Sequence, residues 1–409
     1  MKLGLVSALG ILASFGFQIV TARFLGPAQF GVLSSFFAIV SMAAIASGSL
    51  QNAVAVQTAR ALAAPETISR RSRFDGFTGE ALILGGAGAL IVVGGSPIID
   101  SALHTMFLVP LLAAVAIILS FVFSRMVGTL QGTGDSRGVV WWSTIALLVR
   151  LALVFLALIV GLGLSGALAA VLIATALVMV GATIHAERLH VRVVHRVFQI
   201  DGIIVILMSM AFAWLTNVDV ILVRALASHH TAGLYAAAAT LVKAAFLIPS
   251  TLSLYLLPRF VRQENNRAMT RLGVRLTLLV TAAGSLLMTV IFWLIGSWIT
   301  GLLFGAAYHI DNGLLAGLSL AYLPWIVAQG LLIRMNAMSS KSALFVLLGV
   351  AVVEWFVASA ALPNIPLFIL ILGSAGLVVL VAFFVINRIR SASSADDETA
   401  AGVESRSIE

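Results

Sequence analysis

A succession of apolar runs, each about as long as a bilayer is thick, limits this chain to very few folds. Twelve occur, near 3–22, 31–55, 79–99, 105–127, 139–160, 164–184, 201–223, 232–257, 275–296, 312–333, 342–362 and 365–387, with short polar breaks between them. About 20 helical residues cover a hydrocarbon core of ~30 Å. Lipid offers no partner to a backbone N–H or C=O, so a spanning segment is either a helix or a strand of a closed barrel. A barrel would show ten-residue alternation instead of unbroken runs. The expected fold class is an all-α integral membrane protein with twelve transmembrane helices. Hydrophobic residues at 61% and charged residues at 10% exclude an ordinary soluble domain.

Charge placement sets the orientation. With the amino terminus in the cytoplasm, the 24 lysines and arginines all fall on the cytoplasmic side except Arg23 and Arg224, outside, and Arg150 and Lys243, within runs. The positive-inside rule then places both termini in the cytoplasm. Topology and anionic lipid headgroups account for the net charge of +8, and nucleic acid is not an expected partner. No cysteine is present, which excludes disulfide and thiolate chemistry. The first run reads as an uncleaved span rather than a secretory signal. Residues 391–409, rich in Ser, Ala, Asp and Glu, are expected to form a disordered tail.

The two halves echo one another. "TARFLGPAQFGVLSSF" (21–36) follows the first run and "LVRALASHHTAGLYAAA" (222–238) follows the seventh. Arg23 pairs with Arg224, Leu25 with Leu226, Gly31 with Gly233 after one inserted residue, and Arg60 with Arg262. A second echo joins "SRMVGTLQGTGDS" (124–136) to "IRMNAMSSKS" (333–342). Two six-helix lobes in a parallel repeat are expected, at 1–190 and 191–390. Such repeats place a substrate site between the lobes near the bilayer midplane and move by alternating access.

The segment Arg23 to Gly31 (R-x-L-G-P-x-x-F-G), the segment Asp219 to Val223 (D-V-I-L-V), and A-G-L-Y-A-A-A with Pro249, Pro258, Arg259 and Phe260 beyond it carry a family resemblance. They resemble the polysaccharide-transporter branch, with its Wzx-type oligosaccharide flippases, of the multidrug/oligosaccharidyl-lipid/polysaccharide exporter superfamily. The resemblance implies a MATE-like fold. It also implies flipping of a polyprenyl-diphosphate-linked oligosaccharide from the cytoplasmic to the outer leaflet of a bacterial inner membrane, for surface-polysaccharide synthesis. Expected partners are the lipid-linked glycan, membrane lipids and proteins of glycan synthesis and polymerisation. A monomer, with no enzyme activity, cofactor or metal, is expected. The drug-exporter branch often carries an acid in its first span; here that span has only Gln18, which the duplication aligns with Asp219.

Charges inside the runs are the site candidates, because each costs at least ~2.5–3.5 kcal/mol in hydrocarbon and such residues face bundle interiors or water-filled cavities. Arg150 lies eleven residues into its run, about 17 Å deep at 1.5 Å per residue. Arg150 and Lys243 suit a multiply charged phosphate, one with a forked donor set and the other with a point charge; the bland alternative is a structural bridge to Glu354. Arg23 and Arg224 either anchor helix ends or assist release. Glu354 and Asp219 are candidates for proton or sodium coupling, against simple charge balance. Gln18, Asn52, Asn217 and Gln329 could hydrogen-bond sugar hydroxyls or join helices. Stripes of Ser7, Ser14, Gln18 and Thr21, of Ser209, Thr216 and Asp219, and of Thr240, Lys243 and Ser250 suit either a wet face or helix packing. Pro249 and Pro258 bend or end the eighth span.

Several motifs fall away. The histidines show no metal-ligand spacing. "GTLQGTGD" lacks both G-x-G-x-x-G and the Walker lysine, so nucleotide binding is unsupported. The rivals are a cation-coupled multidrug or small-molecule antiporter of the same superfamily, a cell-envelope enzyme, which would need a larger ordered loop than 56–78, and a scaffold.

Overall fold

The computed structural model describes residues 2–63, 76–97, 108–188, 200–249, 267–337 and 339–406. Its helices, numbered here in chain order, are α1 (Lys2–Ala63), α2 (Gly76–Gly94), α3 (Leu108–Gly132), α4 (Ser136–Ile159), α5 (Gly163–Arg188), α6 (Ile200–Leu215), α7 (Val218–Leu226), α8 (His229–Lys243), α9 (Arg267–Phe304), α10 (Asn312–Ala337), α11 (Lys341–Ala361) and α12 (Ile365–Arg406). Among the described residues, ten helices are long and apolar enough to cross a membrane and Gly79–Gly94 is a shorter apolar one. One of the ten, Gly4–Ala59, carries 56 residues, far more than a single crossing uses. Within the described residues, each of the twelve expected runs lies on this helical framework. The chain is a multi-pass, all-α membrane protein.

The first two runs share α1, with no loop between them. The rings of Phe17 and Phe37 are nevertheless 5.3 Å apart, whereas twenty residues of straight helix would separate them by about 30 Å. The chain must therefore turn back on itself between them. Gly26, at φ 70 and ψ 172, supplies the turn, a backbone state that costs glycine little. Pro27 follows; its missing N–H would lack an intrahelical partner at the start of the returning segment.

Two runs are broken where the sequence pattern reads straight through. The seventh divides into α6 and α7 around Thr216 and Asn217, where the Asn217 amide donates to the Ala213 carbonyl at 2.8 Å and the Thr216 hydroxyl to Phe212 at 2.9 Å. These side chains compete for carbonyls that helical N–H groups would take. The eighth tightens after α8 into a 3₁₀ turn, Ala244–Phe246. Pro249 lies just beyond and cannot donate to the turn before it.

The chain divides into two compact units, Met1–Thr240 with Ile295–Asp311, and Leu241–Leu294 with Asn312–Glu409. This boundary differs from the expected lobe boundary at 190. Within the first unit α1 packs along α3, α4, α6 and α7, α2 lies on α3, and α5 packs on α3 and α4. Small residues permit the closest approaches, since packing rather than hydrophobic exclusion holds helices together in lipid. A methyl added at Gly128 or Gly132 would come within 2.5 Å of the Gln51 or Ala55 carbonyl oxygen of α1, which gives two glycines of "GTLQGTGD" a packing role. Gly31 and Gly233, paired by the internal alignment, lie against each other: a methyl on Gly31 would sit 3.3 Å from the Gly233 nitrogen, and one on Gly233 would overlap the Pro27 carbonyl oxygen.

The second part of this unit begins where α9 kinks at Ile295 (φ −133, ψ 19). Beyond the kink, Phe304 and Tyr308 cluster with Phe30, and the Tyr308 hydroxyl donates to the Ala22 carbonyl at 2.9 Å. In the second unit α10 and α11 both pack on α12. The Trp325 indole donates to the Leu372 carbonyl at 3.0 Å, and the Thr289 and Ser319 hydroxyls, 2.8 Å apart, join α9 to α10. α12 continues to Arg406, so the expected disordered tail is helical as far as that residue; a helix already formed needs no new nucleus to extend through Ala, Ser and Glu. Ser250, Pro258, Arg259, Phe260, Arg262, His190, His195 and the Arg60 side chain lie outside what is described.

Gly233→Ala should destabilise the protein by about 1–3 kcal/mol, as overpacking does, because Pro27 cannot yield without moving α1. Gly86→Ala, on a position with nothing within 4 Å, should be neutral or slightly stabilising given alanine's better helix propensity. Thermal unfolding of the two variants in detergent checks the contrast.

Candidate functional site

Arg150 projects from the middle of α4. Its guanidinium carbon sits 4.7 Å from the centre of the Phe17 ring and 5.5 Å from that of Phe37, and both rings come from the folded-back α1. Phe17 belongs to the apolar cluster formed with Leu33, Phe36, Val154 and Leu158, against which Leu151 and Phe37 also pack. Nε of Arg150 is buried without a hydrogen-bond partner, and the side chain makes no ion pair with a described residue. A bridge from Arg150 to an acid is therefore absent among the described residues. Cation–π contact is worth about 0.5–1 kcal/mol when exposed and about 2 kcal/mol when desolvated, which offsets part of the burial cost. It leaves the positive charge unneutralised.

Lys243, at the end of α8, is the counterpart cation of the second unit. Its Nζ lies 5.4 Å from the centre of the Tyr322 ring, and Tyr322 is itself fully buried and stacked edge-on against Phe246. In each unit, then, a cation within an apolar run lies over an aromatic ring.

The acids differ from the bases in how they are held. Asp219, with no exposed surface, accepts a hydrogen bond from the Tyr235 hydroxyl at 2.8 Å. The pairing joins α7 to α8 just beyond the break in the seventh run. Glu354, 3% exposed, is buried on α11 among helices of the second unit. The amide nitrogen of Asn217 is engaged by Ala213. Gln18 and Gln329 are half-buried, and Asn52 is exposed.

The repeat-related arginines have different surroundings. Arg23 is exposed, and its Nε donates to the Leu303 carbonyl at 2.7 Å while Nη2 donates to that of Leu302. It caps the end of α9, where the helix dipole favours a cation. Arg224 is 4% exposed, with Nε and Nη1 lacking hydrogen-bond partners.

Each polar stripe has a threonine satisfied within its own run. Thr21, Thr216 and Thr240 each donate to the carbonyl four residues back, at 2.8, 2.9 and 2.8 Å. No group of three or more histidines and acids is placed to hold a metal among the described residues. Phe17, Phe37, Tyr235 and Tyr322 are the participants that sequence reasoning missed. Their spacing along the chain, twenty residues between Phe17 and Phe37 and sixteen between Asp219 and Tyr235, follows no single-helix period, so only the fold-back and the helix break bring them together.

Comparison with known proteins agrees with this architecture. Similar solved structures include an inward-facing multidrug resistance MATE family transporter of the MOP superfamily, with 14% identity, TM-score 0.66, 94% of this chain and 95% of that one covered. The eukaryotic MATE transporter AtDTX14 is also 14% identical, with TM-score 0.65 and 94% of each chain covered. A MOP superfamily transporter from Pyrococcus furiosus, described as having a binding pocket of reverse polarity that suggests a different function, has 14% identity, TM-score 0.57 and coverages of 96% and 95%. No curated protein matches. The model of a family described as "Polysaccharide biosynthesis protein" matches residues 2–264. By that match over most of its length, on a MATE-like helical fold, the chain belongs to the polysaccharide biosynthesis protein family.

Proposed function

We propose that the protein exports a polyprenyl-diphosphate-linked oligosaccharide, taking it from the cytoplasmic to the outer leaflet of a bacterial inner membrane. The observation that carries this reading is the Arg150 guanidinium, deep in an apolar bundle, held by ring faces and without an acidic partner among the described residues. A cation kept without a counter-charge at that depth is prepared for an anion that arrives and leaves. A diphosphate between a lipid tail and a sugar is such an anion, and forked N–H donors match its oxygens. Lys243, placed over Tyr322, supplies a second cationic contact. Family membership supplies the polysaccharide context. A cationic drug would be repelled by the same two groups, which weighs against the multidrug alternative.

Asp219 and Glu354 are assigned to ion coupling. Both carboxyls are removed from water, and a cycle that protonates or cation-loads one of them would lower the cost of its burial. Arg224 is assigned to a cargo contact on the outer side, and Arg23 to anchoring the end of α9. Gln18 is assigned to glycan hydroxyls; Asn217 keeps only its carbonyl oxygen for that role.

Reconstituted protein should translocate a labelled undecaprenyl-diphosphate glycan across the bilayer. Arg150→Gln should lower cargo affinity roughly 10- to 100-fold, as loss of a charge-assisted contact worth ~1.5–3 kcal/mol implies, with the variant still folded. Lys243→Gln should act in the same direction. Wild-type transport by both variants rejects the diphosphate assignment. For coupling, Glu354→Gln and Asp219→Asn should each be compared with the parent in vesicles with and without an imposed proton or sodium gradient. At least one should lose the gradient's acceleration while retaining downhill movement; unchanged acceleration in both removes the acids from the cycle.

A further inference from the structure

The segment "GTLQGTGD" and His185 have no part in the cargo pathway proposed above, yet the structure joins them. Asp135, at the end of that segment, caps the start of α4: its Oδ1 accepts the Gly138 N–H at 2.9 Å. Its Oδ2 lies 3.3 Å from Nε2 of His185, in the last turn of α5. The other ring nitrogen of His185, Nδ1, accepts the Trp142 indole N–H at 2.9 Å. A chain of three side chains therefore ties the loop after α3, the first turns of α4 and the end of α5.

The surroundings are shaped for it. A methyl at Gly181, one turn before His185, would overlap the Trp142 ring, and one at Gly138 would lie 3.1 Å from Cε1 of His185. Trp142 packs on the buried cluster of Met126, Leu130, Ala182 and Ala186. Other charged groups on the helices packed around His185 are Arg137 and Arg150 on α4, Arg125 on α3, and Glu187 and Arg188 on α5. Among the described residues Asp135 alone is within ion-pair distance of it.

An indole N–H can only donate. Its partner Nδ1 must then be bare, so the proton sits on Nε2, facing the carboxylate, and a neutral His185 satisfies every member of the chain. A second proton can enter only at Nδ1, where it confronts the indole N–H donor. The charged ring would be drawn more strongly to the Asp135 carboxylate 3.3 Å away, but it would have no lone pair for Trp142. We propose that Trp142, His185 and Asp135 form a proton-sensitive clasp that holds α4 against α5 while His185 is neutral and releases the Trp142 indole when it is charged. The clasp lies at the end of the bundle that the distribution of arginines assigns to the cytoplasm, and it does not rest on the identity of the cargo.

The test uses the purified full chain. The contribution of Trp142 to fluorescence is the difference between the parent and Trp142→Phe, followed from pH 8 to pH 5, the range in which histidine changes charge. With His185 present, the Trp142 emission should shift to longer wavelength in a one-proton transition. In His185→Gln, measured against His185→Gln/Trp142→Phe, it should stay at its pH 8 position throughout, since glutamine keeps one acceptor and one donor and has no titratable proton. A flat profile with His185, or the same transition with glutamine, overturns the proposal. A measurement independent of the Trp142 variant is the ¹⁵N resonance of the His185 ring at pH 8, assigned by its loss in His185→Gln. A bare Nδ1 is expected, and a protonated Nδ1 overturns the clasp.

Discussion

Hydrocarbon supplies no hydrogen-bond partner, so a chain that opens a helix must find its own, as three interruptions here do. Where α1 turns back, glycine and proline combine so that one residue accepts an unusual backbone angle and the next has no N–H to satisfy. Where the seventh run breaks, side chains of Thr216 and Asn217 take up carbonyls. Where α9 ends, Arg23 serves two carbonyls at once. Local chemistry closes each opening, and a chain with so few polar groups has little else with which to close them.

The same scarcity shapes the charges. At membrane depth the two bases, Arg150 and Lys243, rest on aromatic rings, whereas Asp219 is held by a hydroxyl donor and Asp135, at the rim, by an imidazole and a backbone N–H. A ring face stabilises a cation without cancelling its charge, while a donor directed at a carboxylate uses one of its lone pairs. Arg150, whose Nε has no hydrogen-bond partner, accordingly retains capacity for a further one. That asymmetry is the feature on which the proposed anionic cargo rests, more than the number of charges.

Much of the fold was legible because bilayer thickness imprints itself directly on sequence: the length of each apolar run is a physical dimension. The break at Thr216 and Asn217 was not, since neither glycine nor proline marks it and hydropathy continues across it. The kink at Ile295 is silent for the same reason. Arg150, Lys243, Asp219, Glu354 and Arg224 stood out in the sequence, as any charge does within an apolar stretch. Their aromatic and hydroxyl partners did not, because Phe17 and Phe37 have the same side chain as Phe345, 71% of whose surface is exposed. Composition identifies the costly residue, and only the folded chain identifies what makes it tolerable.

The contact between Gly31 and Gly233 has a historical consequence. If the two halves arose by tandem copying of a shorter gene, its product would have worked as a pair of identical subunits, with a single glycine meeting its own symmetry mate near the rotation axis. Any larger side chain there would have pressed on the facing backbone from both subunits in one mutational step. Fusion of the halves would have split that one obligation into two separately encoded ones, and both positions hold the smallest residue available.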